Sequence, residues 1–345
     1  MSITLVAFDA IKVFGLAAIS SIMAILWVPL LTNFLYKHKL WKKSAREKAI
    51  SGEDAPIFNS LHKEKEVNTP RMGGLLIWVT VVFVTFAFWL TPFNFLSRGQ
   101  TWLPLFTLVV ASIVGLVDDI LTVGGGGKYI GEGLSLRKRL IVVVLLGLIG
   151  SLWFYQKLGW DTVFIPFLGD VSIGLWYIPL FITVTVACWS GGVIDGLDGL
   201  AGGTFASIFG AFSIISFSSG KIDLATFCAV VSGALFAFLW FNIPPARFYM
   251  GETGILGLTV VMSVVAFLTN SVYVLPIIGG LMVVEVLSVI IQLLSKKFRG
   301  KKVFLSTPIH HHFEALGWPS YKVTMRAWII GVVLAFIGVA IRLIK

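Results

Sequence analysis

Two adjacent carboxylates, Asp118 and Asp119, close one apolar stretch of the chain, and three consecutive imidazoles, His310, His311 and His312, follow another. Between them lie Asp195 and Asp198, within the glycine-rich run from Asp195 to Gly203, and Glu252, between two further apolar stretches. Paired carboxylates at the end of a helix oppose its macrodipole and repel one another, so a metal ion or a cationic clamp would offset that cost. The aspartates of the glycine-rich run suit a divalent ion or hydroxyl groups, and its glycines let backbone approach a phosphate or sugar closely. Three successive imidazoles on a helix cannot point one way. They are therefore expected to face a pyrophosphate and not to form a metal clip. Solvated loop acids and a plain glycine connector are the alternatives at this point.

The elements that must hold these groups are transmembrane helices. Of 345 residues, 57% are hydrophobic and 13% charged, with a mean hydropathy of +0.93. A soluble domain carries about 25% charged residues. Runs of about 20 apolar residues span a bilayer. Ten segments approach that pattern: Phe14–Tyr36, Gly73–Phe95, Trp102–Val117, Leu140–Tyr155, Gly174–Trp189, Leu200–Ser218, Ile222–Ile243, Gly254–Leu268, Val272–Leu294 and Ala327–Ile344. The expected fold is an all-α polytopic membrane protein of about ten helices, a single domain over residues 1–345.

Ten spans place both termini on one side. Of the 27 Lys and Arg residues, six (Lys12, Arg98, Lys157, Lys221, Arg342 and Lys345) fall on that side and the other 21 on the opposite one. The positive-inside rule makes the crowded side cytoplasmic and the termini periplasmic, in a bacterial inner membrane. Asp118, Asp119, Asp195, Asp198, Glu252 and the histidines all fall on the cytoplasmic side. The net charge of +10 thus encodes topology, and no nucleic-acid partner is expected. Cys188 and Cys228 lie inside apolar runs and are expected to be buried. Gly124–Gly127 with Lys128 lacks the ending of a phosphate loop and reads as a connector.

Five segments occur in an order that resembles the polyprenyl-phosphate N-acetylhexosamine-1-phosphate transferases. They are Asn68-Thr-Pro-Arg-Met-Gly-Gly74, Gly115-Leu-Val-Asp-Asp119, Asp195-Gly-Leu-Asp-Gly-Leu-Ala201, Met250-Gly-Glu-Thr-Gly254 and Pro308-Ile-His-His-His-Phe-Glu314. The resemblance covers the chain from about Asn59 onward, and the triple-histidine segment resembles the branch that uses UDP-MurNAc-pentapeptide. It implies an Mg²⁺-dependent transfer from that nucleotide sugar to undecaprenyl phosphate at the surface of the membrane lipid, with a homodimer as a further expectation. By position it implies Asp118, Asp119, His310 and His311 as catalytic residues. Lys65, Asp195, Asp198, Asn242, Tyr249 and His312 would be substrate-binding, and Glu252, Asp118 and Asp198 would be metal ligands. Glu252 stands where the family usually has Asp, Tyr249 where it has Phe, and Arg71 where it has Thr. A sister enzyme using UDP-GlcNAc and a secondary transporter are the competing expectations.

Overall fold

The computed structural model describes residues 3–43, 67–124 and 133–344. Helices dominate: α1 (Ile3–Lys37), α2 (Gly74–Ala87), α3 (Trp102–Gly124), α4 (Leu136–Leu152), α5 (Tyr177–Ser190), α6 (Leu200–Ser218), α7 (Ile222–Asn242) and α8 (Gly251–Leu268), then the one-turn α9 (Leu275–Ile278), α10 (Gly280–Arg299), the short α11 (Ile309–Ala315) and α12 (Ser320–Leu343). Among the described residues, eight helical segments are long and apolar enough to cross a membrane. Two of the ten expected spans fall outside that set. Helix α2 has only 14 residues, and the expected span Val272–Leu294 is broken at Gly279 between α9 and α10. Pro276, Gly279 and Gly280 had marked that segment for a bend.

The sequence pattern does not reveal a small antiparallel hairpin, β1 (Thr162–Ile165) with β2 (Gly169–Ser172), between α4 and α5. Asn270, just past α8, fastens it by accepting from the Phe164 N–H at 3.0 Å and donating to Asp170 at 2.8 Å.

Helix α8 is the axis of the bundle, with α2, α3, α5 and α6 against it. Every one of its residues except Glu252 is buried. Protein surrounds this helix on all sides, so its dipole must be answered locally. At its N-terminus the Asp119 carboxylate accepts the N–H groups of Glu252 and Thr253 at 3.0 and 2.9 Å. At the other end Lys221 donates to Leu268 O, while Arg342 donates to Thr269 O and to the Ser271 hydroxyl. Opposite charges thus fix both ends.

Its neighbours approach to backbone contact. A Cβ at Gly74 would lie 2.3 Å from Gly254 N, and one at Gly115 would lie 2.2 Å from Glu252 O. Only hydrogen fits at either place. Helix α10 has the inverse character: Glu285, Ser288, Gln292 and Ser295 form a buried polar stripe, while Val284, Leu287, Ile291 and Leu294 are exposed. The stripe grips the loop that follows, since Gln292 accepts from Val303 N and Phe304 N and donates to Phe304 O. That grip returns the chain to the histidines of α11.

Candidate functional site

Helix α3 continues past Val117 to Gly124, so Asp118 and Asp119 sit within its final two turns instead of beyond its end. The two aspartates diverge. Asp118 accepts the Leu134 N–H through one oxygen and holds Arg139 at 2.7 Å through the other. The same guanidinium reaches Glu252 at 2.5 Å, so one cation bridges two acids from α3 and α8.

Asp119, fully buried, gives both oxygens to the first turn of α8, with Arg71 Nε 3.6 Å away. The expected catalytic pair is thus split between two sets of contacts. Asp118 faces the polar cluster, whereas Asp119 is an anchor with its acceptors in use.

Asp195 follows the helical turn Gly191–Ile194. Burial raises its carboxyl to about 6, against the pull of Arg71 and His310, while Glu252 and Asp198 push it further up. It is anionic above roughly that pH. That one carboxylate senses groups from three other segments of the chain, those of Arg71, Glu252 and His310. Asp198 accepts the Ala246 N–H at 3.2 Å, and its carbonyl is held by Thr324.

The three histidines point three ways, as a helical run requires. His310 Nδ1 meets Glu285 at 2.9 Å, His311 Nδ1 meets Glu314 at 2.8 Å, and His312 Nδ1 accepts the Leu305 N–H at 3.2 Å. The Nε2 atom of His310 is buried with no hydrogen-bond partner, and a Cβ placed at Gly196 would lie only 2.1 Å from it. His310 and His311 are buried and His312 is half-buried.

Two further groups of expected site residues have partners within the protein. Asn242, expected to bind substrate, is buried, with its amide oxygen on the Gly199 N–H and its amide nitrogen on Phe248 O. Both ends hold loops. Glu252, Asp118 and Asp198 are not gathered together: among the described residues no group of three His, Cys, Asp or Glu side chains is arranged to hold a metal ion. Asp198 is committed to Ala246 N, and Arg139 takes the other two. Asp118 and Glu252 nonetheless bracket one cationic position with oxygen donors, the type that Mg²⁺ prefers.

Tyr249 is half-buried, its backbone paired with Pro70 and Gly73. Lys65 and Lys128 lie outside the described residues. Both cysteines are free and buried, as expected.

Arg139 is the member of this cluster that the sequence hid, because it looked like part of a topological run with Arg137 and Lys138. One signal was available. A cation in the first turn of α4 opposes the dipole and needs an acid nearby to answer it.

Residues 101–270 match the family described as Glycosyl transferase family 4. The chain is 36% identical over 318 residues to the phospho-N-acetylmuramoyl-pentapeptide-transferase of Chloroflexus aurantiacus, covering 88% of this chain and 85% of that protein. It is 35% identical to the protein of the same name from Chloroflexus aggregans, covering 97% and 91% of the two chains. A third such protein, from a Geobacillus species, is 35% identical, covering 94% and 96%.

Proposed function

The chain belongs to the phospho-N-acetylmuramoyl-pentapeptide-transferase family, and on that premise we propose that it transfers phospho-MurNAc-pentapeptide from the UDP-linked precursor to undecaprenyl phosphate. The products are lipid I, an intermediate of peptidoglycan synthesis, and UMP. The observation that carries this reading is the convergence of Asp118, Asp195, Glu252 and His310 with Arg71 and Arg139, from six separate segments, at one end of the bundle. An oxygen of the lipid phosphate bonds to the sugar-linked phosphorus, the bond from that phosphorus to the pyrophosphate bridging oxygen breaks, and UMP departs with the electron pair. Two anions must meet, so catalysis rests on neutralising charge and aligning the groups.

In this reading Asp118 takes the proton of the lipid phosphate, Arg71 and Arg139 offset the pyrophosphate charge, and Asp195 and His310 position the nucleotide sugar. Asp118 and Glu252 would hold Mg²⁺, which supplies further charge neutralisation when bound. The whole chain acts as one integral-membrane domain, a view supported by a main apolar core that draws on residues from Leu16 to Val339.

Full-length protein with undecaprenyl phosphate and Mg²⁺ is expected to release UMP from UDP-MurNAc-pentapeptide and not from UDP-GlcNAc. The reverse preference would make it the sister enzyme, and no release from either would refute the reading. Glu252→Ala is expected to lose about 10²-fold in maximal rate and to need more Mg²⁺ for half-saturation. Glu252→Asp, the family's usual residue, keeps a rate within about tenfold of the parent. A parental rate and Mg²⁺ requirement in the alanine variant would remove Glu252 from any metal role.

The ten-span arrangement in the bacterial inner membrane, with periplasmic termini and a cytoplasmic site, rests on the division of 21 basic residues against six. An impermeant thiol reagent is expected to reach Ser306→Cys from the cytoplasmic side alone; periplasmic labelling would invert the topology. The homodimer is carried as a proposal, and native mass spectrometry in detergent decides it.

A further inference from the structure

The structure assigns Glu285 as the positioning residue of His310: its carboxylate holds the Nδ1 side of the imidazole so that Nε2 is left for the ligand. This deepens the reading of the site given above and rests on it. Glu285 lies about one-third of the way along α10, on the buried polar stripe, and is the one acidic residue of that helix. An acid there is costly unless it is paired. Its partner is 25 positions away in α11, at 2.9 Å, and both side chains are almost fully buried.

An imidazole gives each nitrogen a separate task, and the hydrogen bond at one nitrogen sets the state of the other. A carboxylate accepts and does not donate, so Nδ1 carries the proton. The opposite nitrogen is a buried polar atom with no hydrogen-bond partner, aimed at the backbone of Gly196 beside Asp195. Such an atom is expensive to leave unmatched. Glycine at 196 lets the ring come this close, since a Cβ there would lie 2.1 Å from Nε2. A hydroxyl or amide group of the nucleotide sugar entering beside Asp195 would donate its hydrogen bond to Nε2.

The other charged groups around this imidazole are consistent with that arrangement. His311 packs edge-on at 4.1 Å between ring centroids but is itself held by Glu314. Asp195 faces the ring from the Asp195–Asp198 turn. Among the described residues, Glu285 alone pins Nδ1.

The test uses full-length protein with ¹⁵N-labelled histidine, His310 being assigned by its loss in His310→Gln. The parent is expected to show His310 protonated at Nδ1. Glu285→Leu, similar in size with no acceptor, is expected to lose that signature, and its kcat for UMP release should fall at least tenfold while KM for the nucleotide sugar stays within about twofold. Glu285→Gln keeps an acceptor oxygen, so it should retain the Nδ1-protonated form and show a kcat between the two. An unchanged His310 signal in Glu285→Leu overturns the proposal, as does a loss of kcat that only follows the folded fraction. Should Glu285→Leu fail to fold, Glu285→Gln decides, because a parental kcat in that variant overturns the proposal. A parent that releases no UMP refutes the functional reading, while the histidine signal still decides the role of Glu285.

Discussion

Asp118→Asn is expected to lower maximal UMP release by about 10³-fold while the protein remains folded and membrane-inserted. General-base and charge-positioning groups are each worth about 10²- to 10⁴-fold in rate, and Asp118 is proposed to do both. It would accept the lipid-phosphate proton, and its carboxylate holds Arg139 at 2.7 Å. Asparagine keeps an oxygen for the Leu134 N–H, and Arg139 keeps Glu252, so little of the fold depends on the lost charge. The measurement is UMP release per folded protein, with folding judged by monodisperse elution and a melting temperature within a few degrees of the parent. Turnover within a factor of ten of the parent would remove Asp118 from the reaction.

Asp119 is its neighbour in sequence and its opposite in consequence. Asp119→Ala strips the acceptors from two N–H groups at the head of α8, that of Thr253 buried and that of Glu252 partly so. Each unsatisfied buried group costs about 1–3 kcal/mol, so the variant loses roughly 2–6 kcal/mol. Against a typical total of about 5–15 kcal/mol, that endangers the whole fold. The variant is expected to accumulate poorly and to melt well below the parent. Asp119→Asn, retaining one acceptor, should fall between them. Normal yield and melting temperature in Asp119→Ala, with activity lost, would restore Asp119 to the chemistry and remove it from the scaffold.

The contrast between these two residues shows where sequence stops informing. Ionisable residues in so apolar a chain are conspicuous, so Asp118, Asp195, Glu252 and His310 could be singled out from type and position alone. Their partners could not. Arg139 was camouflaged by the basic run that sets topology. Glu285 stands in the apolar run Val272–Leu294, yet its meaning depends on His310, which the strap gripped by Gln292 brings back to it. Asp119 and Asn242 have the composition of a site and the bonding of a scaffold; which one a polar side chain belongs to is decided by the backbone groups it meets. Spans were legible because length and hydropathy are local quantities. The hairpin at Thr162–Ser172 was not, since Phe164 and Ile165 read as equally apolar in any conformation and its fastening residue, Asn270, lies a hundred positions away.

The backbone contacts at Gly74 and Gly115 shape how this protein can vary. A saturation survey of substitutions scored only by survival would find both positions as intolerant as Asp118, although neither carries a functional group. At Gly115 even a methyl would press on the Glu252 carbonyl, and at Gly74 it would press on the amide of Gly254. Intolerance in such a map would therefore mark two populations, residues that react and residues that let α2 and α3 lie against α8. An assay that separates yield from turnover would sort them. The glycines would fail on yield and Asp118 on turnover.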